Sequence, residues 1–282
     1  KAIALAQSRG NTKLAWLGLT IHELAAEMLG RSIRELFKMA DIPERIADAF
    51  TMDSIFELWK SHRAAFMDRG GAGLGILDEE VRSVLINVPT SAGKSLIAEI
   101  YITTFLNRNQ EARSIWIVPS RALVSEVFLR LRKRFKRIGI SVSTVVGGVE
   151  LAPDENAFDQ GARVLVITPE KLDGLLRRVS NLLTVPTLIV FDEMHKISVP
   201  GRGWFLESVI AWMLLKASID DRIKLLFMSA VLPNVNTFEI WLGMGEERSN
   251  SVTSSWRPTR LALFSITTGN YGRSLEINLH QQ

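Results

Sequence analysis

The 282-residue chain contains no cysteine. That absence removes a disulfide framework, a thiolate zinc site and a cysteine nucleophile together, and it fits a reducing compartment. Histidine is nearly as scarce: His22, His62, His195 and His280 are the only four. None stands in the pair on one helix that a zinc-dependent hydrolase of the helical type needs. Long apolar runs are missing too. The longest stretch free of charge, Leu225 to Phe238, is interrupted by Pro233, Asn234 and Asn236, and it falls short of the roughly 20 apolar residues of a membrane-spanning helix. No membrane contact is expected, and the expected location is the cytoplasm, or the nucleus in a eukaryote. There is no internal repeat and no low-complexity tract. The first residue is Lys1 and not Met, as expected of a piece of a longer or processed polypeptide.

What is present reads as an ordinary globular chain, since 47% hydrophobic and 23% charged residues exclude disorder and fibrous repeats. A net charge of +4 permits a polyanionic partner without requiring one. From Asn11 to about Phe66 the apolar residues recur at helical spacing, with Leu17, Ile21, Leu24 and Met28 on one stripe and Ile33, Phe37 and Ala40 on another. Pro43 is placed to open a helix, and Asp53 or Ser54 to cap a third. The glycine-rich connector 70–75 then ends an N-terminal helical region spanning 1–75.

After Gly75 the pattern changes to short runs rich in Val, Ile and Leu: Val84 to Val88, Ile115 to Val118, Val142 to Val146, Val164 to Ile167, Leu188 to Phe191 and Leu225 to Met228. Such runs suit parallel strands covered on both faces. Amphipathic stretches at Leu96 to Leu106, Ala122 to Phe135 and Trp204 to Leu215 separate them. The expected fold is therefore α/β, a doubly wound, mostly parallel sheet with an N-terminal α-helical extension.

Strand Val84 to Val88 runs into Pro89-Thr90-Ser91-Ala92-Gly93-Lys94-Ser95, and a helix begins at Leu96. A Gly-Lys-Ser at a strand-to-helix turn is a phosphate loop: backbone N–H groups cradle the phosphates, Lys94 reaches the β and γ oxygens from a solvent-facing loop, and the Ser95 hydroxyl ligates Mg2+. Val88 stands where the general pattern has its first glycine. Leu188 to Phe191 ends in Asp192-Glu193-Met194-His195, which puts two carboxylates at the carboxyl edge of the sheet. Asp192 would hold Mg2+, and Glu193 would orient and deprotonate the attacking water.

In these motifs the sequence resembles superfamily 2 helicases of the DExH type, most of all the Ski-like branch, over about Phe56 to Pro258. Val118-Pro119-Ser120-Arg121-Ala122-Leu123 is similar to motif Ia, Thr168-Pro169-Glu170-Lys171-Leu172-Asp173 to motif Ib, and Ser229-Ala230-Val231-Leu232-Pro233-Asn234 to motif III. The resemblance implies ATP and Mg2+ as cofactors and a RecA-like ATP-binding lobe over 76–258, with 259–282 leading toward a second lobe of the same longer chain. It further implies single-stranded or partly duplex nucleic acid as partner, touched at Arg121, Gly147, Gly148, Thr168 and Glu170. His195, Ser229, Ala230 and Val231 would couple the nucleotide site to the strand path, with Val231 where the family usually has Thr. His62 falls near the Gln that relatives use to read adenine; the alternative is a residue on a helix surface. The N-terminal helices would take a protein partner. Only 26 residues follow Trp256, and no second-lobe arginine motif is among them, so the chain is expected to hydrolyse ATP poorly by itself. The competing reading is a nucleotide-gated binding or regulatory module that does not unwind.

Arg130 to Arg137 holds six basic residues in eight. It either neutralises phosphates or forms a helix whose Leu131 and Phe135 mark the buried side. Among the tryptophans, Trp116 and Trp212 read as core and Trp204 as the exposed one.

Overall fold

Apolar runs with little alternation need cover on both faces, and the computed structural model supplies it around one seven-stranded sheet. Described are residues 12–29, 31–67, 74–145, 161–178, 182–201, 203–230, 232, 234–244, 248–258, 263–268 and 275–280, with the backbone alone for 25–29 and for the last two segments. Gly147, Gly148 and Val231 lie outside the described residues.

The strands are β1 (Ser83–Asn87), β2 (Arg113–Ile117), β3 (Val142–Thr144), β4 (Val164–Ile167), β5 (Thr187–Phe191), β6 (Ile223–Ser229) and β7 (Ser249–Thr253). They lie in the order β3-β4-β2-β5-β6-β1-β7, every neighbouring pair parallel. The first six fall on the expected apolar runs. β7 has no counterpart among them, because Ser-Asn-Ser-Val-Thr at the sheet edge buries only Val252. Beyond it β8 (Leu263–Thr268) and β9 (Leu275–His280) pair antiparallel as a separate two-stranded sheet.

The helices are α1 (Thr12–Leu29), α2 (Ile33–Met39), α3 (Glu44–Thr51), α4 (Lys60–Phe66), α5 (Lys94–Arg108), α6 (Arg121–Arg137), α7 (Pro169–Arg178), α8 (Gly203–Ile219) and α9 (Val235–Trp241). Alternation along the strands sorts the core into two layers. Val84, Ile86, Trp116 and Val166 pack with Ile97, Leu131 and Phe135 of α5 and α6, and the same cluster runs on through Phe37, Phe50 and Phe66 of α2, α3 and α4. Leu85, Ile115, Ile189 and Phe227 face the other way, against Leu172, Ile210 and Met213 of α7 and α8. No helix among the described residues is long and apolar enough to cross a membrane.

Three local expectations change. Pro43 does open α3, standing at its N-cap position, but Asp53 and Ser54 cap no helix: they sit in the turn after it, and the next helix starts at Lys60. The Asp53 carboxylate instead accepts hydrogen bonds from Arg134 (2.9 Å) and Arg137 of α6. The basic run accordingly does not present one continuous phosphate-facing surface. Arg130 and Arg134 both turn inward to Glu99 of α5, which is 1% exposed, while Arg132, Lys133 and Lys136 face solvent. Lastly, Leu17, Ile21 and Leu24 of α1 are exposed, so this stripe is not part of the core.

Candidate nucleotide and nucleic-acid site

Strand order decides what meets at the carboxyl edge. β6 lies between β1 and β5, so the loop leaving β1, the acidic turn leaving β5 and Ser229-Ala230 at the end of β6 open onto the same side, where ligands of open α/β sheets bind. The loop is pinned at its root. Asn87 closes β1 as a buried residue whose Oδ1 accepts from the Leu232 backbone N–H (3.0 Å) and whose carbonyl accepts from Ser254 N–H (3.2 Å).

From Pro89 to Gly93 the backbone turns sharply, with positive φ at Ser91 (71°) and Gly93 (89°). Only glycine fits position 93: besides the left-handed φ, a Cβ there would lie 2.1 Å from His62 Nε2. Lys94 and Ser95 then open α5. Lys94 is 7% exposed, not solvent-facing, and its Nζ donates to the Val88 carbonyl at 3.3 Å. Burial lowers its pKa, opposed by the negative charges of Glu193 and Asp192. The two motifs thus act on each other electrostatically.

Asp192 is oriented on both oxygens. Oδ1 accepts from the Glu193 backbone N–H (2.8 Å) and Oδ2 from the Trp116 indole N–H (3.2 Å). Burial, reinforced by the Glu193 charge, pushes its carboxyl up to about 6. Glu193 adopts left-handed φ and ψ of 54° and 41° and turns the chain into the short 3-10 helix Met194–Ser198. Its Oε2 lies 3.2 Å from His195 Nε2. His195 Nδ1 and Ser229 Oγ are buried without a hydrogen-bond partner among the described residues. The chemistry of the donors fits Mg2+: the Asp192 carboxylate keeps lone pairs beyond its two hydrogen bonds, and the Ser95 hydroxyl at the start of α5 is likewise a hard oxygen.

His62 is neither on the helix surface nor free. It is buried at the start of α4, against the phosphate loop, with Nδ1 accepting from Trp59 N–H (3.1 Å) and Nε2 3.3 Å from the Gly93 carbonyl. The Trp59 ring stacks on it at 5.5 Å and in turn contacts Trp256 at 5.7 Å.

Farther along the same edge, a groove of about 390 Å³ runs between Pro119, Ser120, Pro169, Glu170, Lys196 and Phe205. The segments 119–123 and 169–170 therefore line one surface. Arg121 is exposed at the first turn of α6, Thr168 is buried where its carbonyl accepts from Lys171 and Leu172 N–H, and Glu170 is exposed in the first turn of α7. Trp204 is 65% exposed, as expected.

A model of the DEAD/DEAH box helicase family matches residues 74–238. The chain belongs to the DEAD/DEAH box helicase family. Among relatives of this DEAD/DEAH box chain, the Hachiman protein HamB of Bacillus cereus is 29% identical over 266 residues, covering 91% of this chain and 22% of the relative. The ATP-dependent DNA helicase Hel308 of Pyrococcus horikoshii is 30% identical, covering 78% of this chain and 27% of the relative. That of Thermoplasma acidophilum is 33% identical, covering 64% and 25%. The chain thus spans about a quarter of the length of the curated relatives it matches. Among solved structures, the DUF1998 helicase MrfA superposes with a TM-score of 0.58 at 19% identity, over 75% of this chain and 32% of that one, and its DNA-bound form with 0.59 at 19%, over 76% and 30%. At that identity the likeness carries the fold alone, a RecA-like α/β fold.

Residue-type reasoning missed Asn87, Trp59 and the polar role of Trp116. For Trp116 the signal was its indole N–H, a donor that a fully buried tryptophan has to satisfy; for Asn87 it was an amide at the end of an apolar strand, next to the phosphate loop.

Proposed function

We propose that this chain is the first motor lobe, over 76–258, of an ATP-dependent helicase or translocase of the Ski-like branch, preceded by a helical region (1–75) and followed by an exit segment (259–282) toward a second lobe. The observation that carries the reading is the meeting of buried Lys94 with the Asp192 and Glu193 carboxylates at one sheet edge. The loop from Pro89 to Ser95 would cradle the phosphates, with Lys94 neutralising the β and γ oxygens. Ser95 and Asp192 would hold Mg2+, which when bound offsets charge on the transferred phosphoryl group. Glu193 would take the proton of the attacking water. His195, Ser229, Ala230 and Val231 would connect this chemistry to the nucleic-acid path. That path would run over Arg121, Gly147, Gly148, Thr168 and Glu170 and hold the backbone without reading bases. DNA is the favoured polymer, since Hel308 is described as a DNA helicase and MrfA was solved with DNA bound.

The test is strand displacement and ATP hydrolysis by the full-length protein, with and without single-stranded DNA and RNA, for the wild type and Lys94→Ala. Nucleic-acid-stimulated turnover that Lys94→Ala abolishes is the expected result. Nucleotide-dependent DNA binding without displacement favours the gated module instead, and unchanged nucleotide affinity in folded Lys94→Ala removes the phosphate-loop assignment.

A further inference from the structure

Beside the phosphate loop lies a second cavity, of about 420 Å³, lined by Ile55, Phe56, Trp59, His62, Gly93 and Leu96, with Ser54 and Glu57 completing its wall. Gly93 and Leu96 flank Lys94 and Ser95 in the chain, so a nucleotide whose phosphates lie on the loop has its sugar and base beside this cavity. Two of the lining rings are open to solvent, Phe56 at 59% and Trp59 at 42% exposure.

Choosing adenine over other bases requires donors and acceptors matched to its edge. A site built that way rejects the wrong partner by about 10⁴-fold or more, whereas apolar fit alone discriminates by about 10- to 200-fold. His62 is the ring placed for that task, and both its nitrogens are already engaged. Trp59 N–H donates to Nδ1, so the network assigns the ring proton to Nε2, which faces the Gly93 carbonyl. Burial holds the ring neutral, with a pKa of about 4, so it carries no second N–H at neutral pH. Glu57 is exposed and only accepts when ionised; adenine, guanine and cytosine all carry an amino group it could receive, so it singles out none of the three. The Ser54 hydroxyl can donate or accept and the Trp59 indole N–H donates to acceptors that every base carries, so neither singles one out. Among the described side chains what remains is stacking on Phe56 and Trp59, which every base can satisfy.

We infer that the nucleotide site is indifferent to base identity: it takes nucleoside triphosphates by their phosphates and by stacking, and His62 props the phosphate loop in place of reading adenine. This inference rests on the nucleotide site proposed above. His62 here is a positioning residue, acting on bound nucleotide through Gly93.

Displacement of a fluorescent ADP analogue from the full-length protein by ADP, GDP, CDP and UDP tests it. Wild-type affinities for the four are expected within about fivefold of one another, and His62→Asn should weaken all four alike. A wild-type preference for ADP above about 30-fold, or a His62→Asn variant that loses affinity for ADP alone, overturns the inference. The wild-type comparison decides even where the variant fails to fold. Absence of all nucleotide binding, or binding insensitive to Lys94→Ala, would instead strike at the nucleotide site itself and so is distinguishable from base selectivity.

Discussion

The Trp116 indole N–H donates to Asp192 Oδ2 at 3.2 Å, across residues 76 positions apart in the chain. β2 and β5 are neighbours in register, Trp116 opposite Val190, so the ring rises beside the end of β5. On its other side the Arg130 guanidinium lies 5.7 Å from the ring centroid, and Glu99 anchors that guanidinium at 3.0 Å. Groups from α5, α6 and β2 thus aim the acidic turn.

Trp116→Phe keeps an aromatic ring in the core and removes the donor. A hydrogen bond to a charged group contributes about 1.5–3 kcal/mol, so the Mg2+ concentration needed for nucleotide binding should rise by about 10- to 100-fold. Magnesium titration of fluorescent ATP binding measures it. An unchanged Mg2+ requirement in a folded variant would mean the indole does not position Asp192.

Glu193→Gln keeps the shape of the side chain and removes its basicity. ATP should still bind, while hydrolysis by the full-length protein falls by about 10²-fold or more. Single-turnover kinetics distinguish this from slow product release, and near-normal turnover assigns the base elsewhere.

Acid should act on His62. Burial lowers its pKa from 6.5 to about 4, so the unfolded chain takes up a proton first as pH falls. The stability it contributes is complete above pH 6.5 and lost progressively toward pH 4, a difference of about 3 kcal/mol. Asp192 works in the opposite sense, since a carboxyl raised to about 6 favours the folded state as pH drops from 6 toward 4. Comparing urea unfolding of the wild type with His62→Gln at pH 7 and pH 4.5 cancels that contribution. The wild type should lose more, and equal losses would show that His62 is solvated.

Arg134 bridges Glu99 and Asp53, whose side chains are 1% and 12% exposed. Removing one partner of a buried pair costs up to about 3–5 kcal/mol when the other charge is left alone; here Arg130 still pairs with Glu99 and Arg137 with Asp53, so a loss of about 1–3 kcal/mol is expected. Arg134→Met should destabilise by that order, Glu99→Gln in the same background should recover part of it, and Lys133→Ala on the solvent face should stay within about 0.5 kcal/mol. Denaturant midpoints of the four proteins decide; a destabilisation by Lys133→Ala equal to that of Arg134→Met would contradict the inward orientation of Arg134.

The sequence by itself determined the two ends of the proposed nucleotide site and the strands that carry them. Gly93-Lys94-Ser95 and Asp192-Glu193 each follow an apolar run, and local chemistry suffices for both: β-branched residues make buried strands, and glycine permits the turn. β7 escaped because Ser249 to Thr253 lies at an edge and has few apolar side chains to betray it. Orientation and burial were the province of the tertiary structure. Arg130, Arg134 and Arg137 read as part of a solvated charge run until Glu99 and Asp53, 31 to 84 residues away, come to face them. His62 read as a base reader or a surface residue until packing of α4 on the phosphate loop engaged both ring nitrogens. Residue type specifies how many hydrogen bonds and charges a side chain can offer; which of them are already taken depends on neighbours that only the folded chain brings within 3–4 Å.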